Sequence, residues 1–247
     1  METSGTPLRP LPATFAETRD ALHQLAFFAI APKRYANTER LGLRARPGGF
    51  GTPPWPSDDG EVQVRMEGDR LIVEVGEDRR ETRPSTIREA CEFLDIPYEV
   101  VWFPDFHDPP NPADPDAPLA IDELAATVLG DWFMFATEVL EELGRTPGAT
   151  AVSEVQLWPE HFDPAREIGD AEAGQRASYG ASPGDADHDE PYLYVSPWAE
   201  IDRDAEPFWN DASFSGASLS HKDLLAVEDP RAAALDFLRR GHAVLTG

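Results

Sequence analysis

His161 and Asp163 stand two apart in Leu157-Trp158-Pro159-Glu160-His161-Phe162-Asp163. If an extended strand runs through Phe162, their side chains share a face, because alternate residues point the same way. A carboxylate beside an imidazole fixes its tautomer and orientation, as in a general base that takes a proton from water. Hydrolysis with His161 as base and Asp163 as its orienting acid is one chemistry this stretch supports. The structural alternative is a histidine hydrogen-bonded at a strand end beside an acidic turn-former. Ser182 lies in Ser182-Pro183-Gly184-Asp185, a turn by composition, and as a nucleophile it would need His161 or His188 beside it. Asp185, Asp187 and His188 supply ligands for a metal-assisted variant. Asp185-x-Asp187-x-Asp189 begins like a calcium loop, but Glu190 stands where that loop needs glycine and Ser196 where it needs a bidentate glutamate. A solvated hairpin turn is the plainer reading, so no metal is assigned, and the sequence leaves the cofactor unknown.

Around these groups lie Trp158, Tyr179, Tyr192, Tyr194 and Trp198, which would either line a pocket or pack as half-buried strand residues. The sequence contains no dinucleotide-binding glycine fingerprint, phosphate loop, paired-histidine zinc helix or nucleophile elbow. A cysteine zinc site is ruled out by arithmetic, since Cys91 is the sole cysteine. It falls on the apolar face of an expected helix and reads as a small core residue.

The elements that must position these groups follow from periodicity. Residues 1–13 are Pro-rich and read as an arm. Thr14-x-x-Glu17 is a capping-box pattern opening a helix through Phe15, Leu22, Leu25, Ala26 and Ala29. A strand at 41–46, a hairpin at 61–83 and a second capped helix from Thr86 come next. Tyr98 to Phe103 reads as a strand, and 104–118 as a Pro-rich loop holding Asp105, His107 and Asp108. Residues 119–143 carry a broad apolar helical face ending at Gly144. Strands are expected at 155–160, 176–181 and 192–195, with a further short one within 208–219, before a helix opened by Asp229-Pro230. The order lacks regular strand–helix alternation, so the expected class is α+β, a mainly antiparallel sheet packed against several helices. The arm at 1–13 and one domain over 14–247 is the domain reading.

Composition bounds the partners. The 247 residues carry 46 acids against 21 Lys and Arg, a formal charge of −25. Such a surface repels phosphate backbones and anionic lipid, so nucleic acid and membrane are not expected partners. No apolar run approaches the roughly 20 residues of a membrane span. With one cysteine, and an opening stretch that lacks the basic and apolar regions of a secretory signal, the expected compartment is the cytoplasm.

The motifs Leu157-Trp158-Pro159-Glu160-His161-Phe162-Asp163, Tyr179-Gly180-x-Ser182-Pro183-Gly184 and Pro191-Tyr192-Leu193-Tyr194 resemble an uncharacterised bacterial family, a domain of unknown function. The resemblance implies no activity and marks the central stretch as the signature. The functional expectation is a small-molecule or partner-binding cleft at the ends of the central strands, bordered by Trp158, His161, Asp163, Tyr179, Ser182, Asp185 and Tyr194. The alternative is a hydrolase using His161 and Asp163, with or without a metal.

Overall fold

The computed structural model describes residues 5–99, 110–111 and 114–247. Its architecture is α+β with antiparallel sheets, as the order of patterns predicts. The chain clusters into two compact units where the sequence suggests one domain. Unit 1 takes the described residues within Met1–Pro10, Met134–Gln156 and Asp163–Gly247; unit 2 takes those within Leu11–Phe133 and Leu157–Phe162. The expected strand at 98–103 and the loop with Asp105, His107 and Asp108 lie largely or wholly outside the described residues.

Unit 2 opens with α1 (Phe15–Leu25), which runs through a π-helical turn at Ala26–Ile30 into α2 (Ala31–Thr38). The expected capping box does not form, since Thr14 makes no side-chain cap hydrogen bond. All five residues of the π turn are buried. Such a turn disturbs the usual carbonyl pattern of a helix, and the Phe28 carbonyl accepts from the buried Cys91 thiol at 3.5 Å. Burial raises that thiol to about 11, which keeps it protonated and inert.

Strands β1 (Arg44–Arg46), β2 (Gly49–Gly51), β3 (Trp55–Ser57), β4 (Gly60–Glu67), β5 (Arg70–Val75) and β6 (Asp78–Thr82) form one sheet, ordered β1-β2-β4-β5-β6 with β3 on β4. Val62, Val64 and Met66 alternate inward on β4, as predicted. β6 is not legible as a strand because Asp78-Arg79-Arg80-Glu81-Thr82 has no apolar residue; it is a charged edge, which discourages further pairing. Thr86 caps α3 (Ile87–Phe93) through the Glu89 amide at 3.1 Å. The first half of α4 (Glu123–Leu143) packs on β2 through Gly130, where a Cβ would come within 2.2 Å of the Gly49 nitrogen. Phe162 fills the same core, 5.0 Å from Phe50 and 5.1 Å from Phe133. His23 of α1 stacks on it and donates to the carbonyls of Pro159 and Glu160 at 3.0 and 3.1 Å. Burial lowers His23 to about 4, so the ring is neutral and its Nε2 proton pins the 159–162 turn. That turn follows β7 (Gln156–Trp158), whose Leu157 bridges to Leu43.

Unit 1 carries β8 (Asp163–Ile168), β9 (Ala177–Ser182), β10 (Tyr192–Pro197) and β11 (Ala217–Ser220) in the order β11-β10-β9-β8. It also holds α5 (His221–Leu225) and α6 (Pro230–Thr246). β8 escapes a pattern reading because Pro164, Arg166 and Glu167 interrupt its apolar residues. Arg166 is nevertheless buried, donating to the carbonyls of Leu140 on α4 and Ser153. Gly241 of α6 gives the close approach on which Val195 of β10 packs, a Cβ there meeting it at 2.8 Å. Among the described residues no helix is long and apolar enough to cross a membrane.

Candidate functional site

The register of unit 1 sorts its side chains onto two faces. Tyr179, Val195 and Ala217 lie abreast, and so do Ala181, Leu193 and Leu219; this is the apolar face that meets α6. The opposite face carries Ser182, Tyr192 and Ser220 in one row, Gly180, Tyr194 and Ser218 in the next, and Ser178 with Ser196 in a third. Hydroxyls and phenols therefore take the positions where a sheet covered on both sides would place aliphatic residues.

Gly180 has a steric reason. A Cβ there would stand 2.4 Å from the Tyr194 ring and hydroxyl, so the phenol of β10 lies flat across β9 where no side chain intervenes. That reach lets the Tyr194 hydroxyl donate to Oδ2 of Asp163 at the start of β8. Asp163 is only 3% exposed, and this bond answers part of the cost of burying a carboxylate.

A second chain of hydrogen bonds runs from the 182–190 turn. The Tyr192 hydroxyl donates to Asp185 Oδ2 at 2.7 Å. Asp185 Oδ1 accepts the amides of Asp187 and His188 at 2.8 and 2.9 Å and faces His188 Nδ1 at 3.3 Å. The other ring nitrogen, Nε2, lies 2.9 Å from Asp211 Oδ2. Asp211, 3% exposed, is itself held by the amides of Ser213 and Phe214 and the Ser213 hydroxyl.

An ionised carboxylate only accepts, so an imidazole between two of them carries a proton on each nitrogen. The electrostatics agree. Burial pulls His188 down, yet its bonds to Asp211 and Asp185 outweigh that and leave it above the ordinary histidine value. Burial works against Asp211 too, but its serine, amide and imidazole donors bring it down to about 2. Burial and the Asp185 carboxylate raise the Tyr192 phenol, which stays a donor. The rings of Tyr192, Tyr194 and Phe214 stand 6.2 to 6.3 Å apart pairwise, and the His188 ring lies 4.1 Å from that of Tyr192.

The structure therefore brings Asp163, Ser182, Asp185 and Tyr194 to one face of unit 1. Ser182 is buried there, its oxygen accepting the Gly184 amide at 3.1 Å. The expected His161–Asp163 pairing is corrected. Phe162 adopts a left-handed backbone, φ 54°, which ends the extended run, so alternation does not carry His161 onto the face of Asp163. His161 is exposed in the turn before β8, and Asp163 holds a tyrosine where the sequence suggests a histidine. Trp158 belongs to unit 2 and is 37% exposed. Tyr179 is corrected as well: it sits on the apolar face, fully buried, its phenol raised by that burial and without a hydrogen-bond partner among the described residues. Asp211 and Phe214 join the site unforeseen; Asp211-Ala212-Ser213 has an acid-led turn composition, but nothing in it announces the partner twenty-odd residues earlier.

Among the described residues no group of three acid, histidine or cysteine side chains is arranged to hold a metal ion. Unit 1 also has a groove of about 500 Å³ away from this face, lined by Gly5, Glu138, Glu141, Glu142, Arg145 and Arg231. There Arg231 is taken up by Glu138 and Glu142 at 3.0 and 2.9 Å, and Glu138 also binds the Thr6 hydroxyl, so the groove is a closed ion-pair network tying down the N-terminal arm.

Comparison with protein-family models, curated proteins and solved structures gave no match. The site stands on its own geometry.

Proposed function

We propose that unit 1 is a binding module for a small organic cation, received on the hydroxyl- and phenol-bearing face of its sheet. One observation carries the reading: Asp163, Asp185 and Asp211 are gathered beside three aromatic rings, with His188 hydrogen-bonded between Asp185 and Asp211 and Arg203 donating to the Asp211 and Phe214 carbonyls. Carboxylates and ring faces together attract ammonium and guanidinium groups, and the overall charge of −25 steers such ions toward the protein. The same face already shows the chemistry within the chain, since the Arg176 guanidinium lies 5.0 Å over the ring of Trp198, which donates to Ser178.

Binding is favoured over hydrolysis by the state of the histidines. A general base needs a nitrogen lone pair facing substrate, and both nitrogens of His188 face carboxylates. His161 has lost its orienting partner. The single buried cysteine fits a reducing compartment, and the cytoplasm is the working place we assign.

The test is a calorimetric titration with tetramethylammonium, guanidinium and ethylammonium chlorides, each against sodium chloride at equal ionic strength. Saturable heat is expected from the wild type with at least one of them, and its loss in Asp163→Asn. If no organic cation gives more heat than sodium, the reading fails.

A further inference from the structure

The chain's acidity conceals a segment of opposite sign. Residues 33–46 hold five basic side chains, Lys33, Arg34, Arg40, Arg44 and Arg46, against the single acid Glu39. In the fold this segment is the end of α2, the reversal after it, and β1. Glu39 takes the left-handed conformation, φ 56°, and its amide closes on the Tyr35 carbonyl at 2.8 Å. That cap ends the helix and turns the chain back. Arg40 and Arg44 follow the reversal, both exposed, and theirs are the charges that bear on Arg34 one turn before the helix end.

Arg34 is the anomaly. It is 7% exposed, yet among the described residues no side chain or carbonyl accepts a hydrogen bond from its guanidinium and no carboxylate pairs with it; Nη1 is buried without a partner. Guanidinium groups are seldom buried unless paired, because an unanswered cation loses its hydration and gains nothing in return. Packing of the aliphatic stem accounts for the burial of the carbons and not for the idle donors. Burial first, then Arg40 and Arg44, lower Arg34 to about 10, which leaves it charged at neutral pH with no acid offsetting it.

We propose that Arg34, flanked by Arg40 and Arg44, forms a binding site for an oxyanion, the phosphate or carboxylate group of a small molecule. The planar fork of Arg34 would grip two oxygens side by side, while the exposed Arg40 supplies attraction from solvent. This site lies wholly in unit 2 and does not depend on the cation reading for unit 1.

The experiment uses the full chain. Melting temperature is followed against sodium phosphate and, separately, sodium acetate, with sodium chloride at equal ionic strength as reference. A ligand that binds only the native state raises the melting point and the rise grows with concentration as the site fills. The wild type is expected to respond to phosphate, to acetate or to both, and the two arms tell a phosphate group from a carboxylate. Arg34→Met keeps the aliphatic volume and removes the charge: it is expected to melt higher than wild type in chloride and to lose the oxyanion response. No response of the wild type to either ion overturns the site, and so does an undiminished response in Arg34→Met. Should Arg34→Met fail to fold, Arg40→Glu decides, since an exposed reversal leaves the core intact. A several-fold weaker affinity in that variant upholds the proposal, and an unchanged one overturns it.

Discussion

Arg166 and Arg34 are each 7% exposed, one in each unit, and they differ in everything that surrounds the guanidinium. Arg166 donates to the Leu140 carbonyl at 2.9 Å and to the Ser153 carbonyl, and Glu141 stands 3.9 Å away. Gly144 makes room for it, because any Cβ there would meet the guanidinium at 2.2 Å. Arg34 has no such cradle. The same side chain, equally withdrawn from water, is a structural tie in one place and an unanswered charge in the other. Burial alone therefore says little about function; what distinguishes the two is whether the fold supplies the acceptors. The acidic cluster of unit 1 lies between these extremes. Tyrosine, serine and amide donors hold Asp185, Asp211 and Oδ2 of Asp163, so the cluster holds its shape, and its three acids stand against two cations, His188 and Arg203, when His188 is protonated.

Replacing Arg166 with Met should be the most damaging change, since two buried carbonyls lose their donor; a loss of roughly 3 kcal/mol in urea unfolding is expected. Arg34→Met should move the other way, stabilising by about 1 kcal/mol in chloride, because it removes an uncompensated charge. Equal losses in the two variants would erase the distinction between them.

The histidines sharpen the comparison by pH. His23 is lowered in the fold, so its contribution is complete above the unfolded value near 6.5 and is lost as pH falls toward about 4. A shift of that size corresponds to roughly 3 kcal/mol at the acid end. His188 is raised, so its contribution is complete below pH 6.5 and is lost as pH rises through its folded value. His23→Gln should thus flatten the limb below pH 6.5 of the stability profile and His188→Gln the limb above it. Profiles in which both substitutions act on the same limb would contradict the assigned protonation states.

A smaller effect is expected at Gly180. Gly180→Ala must displace the Tyr194 ring, costing about 1–3 kcal/mol. Because Tyr194→Phe already removes the bond to Asp163, the two costs should add to less than their sum in a double-mutant cycle. Strict additivity would mean that the glycine serves something other than the reach of Tyr194.

Much of this was legible in the sequence. Val62, Val64 and Met66 revealed a hairpin, Asp229-Pro230 the start of α6, and the apolar face of 119–143 the long helix, because each element has one buried side and one period. β8 was hidden by its buried arginine, and β6 by its lack of any apolar residue, since charged pairs such as Arg70–Glu81 join it to β5. Asp163, Ser182, Asp185 and Tyr194 stood out because the central stretch mixes rings, acids and turns, and the fold brings them to one face. His161 was misplaced by one backbone angle at Phe162, which alternation cannot foresee. Asp211 reaches His188 across a long separation, and Arg34 is anomalous only through what is missing around it, so neither could be read from spacing.

The proposed function of unit 1 is tested most directly by following backbone amide resonances of isotopically labelled protein as tetramethylammonium chloride replaces sodium chloride at fixed ionic strength. The account predicts saturating shifts concentrated at Gly180, Tyr192, Tyr194 and Phe214. Shifts spread evenly over the acidic surface, or none beyond those caused by sodium, would contradict it.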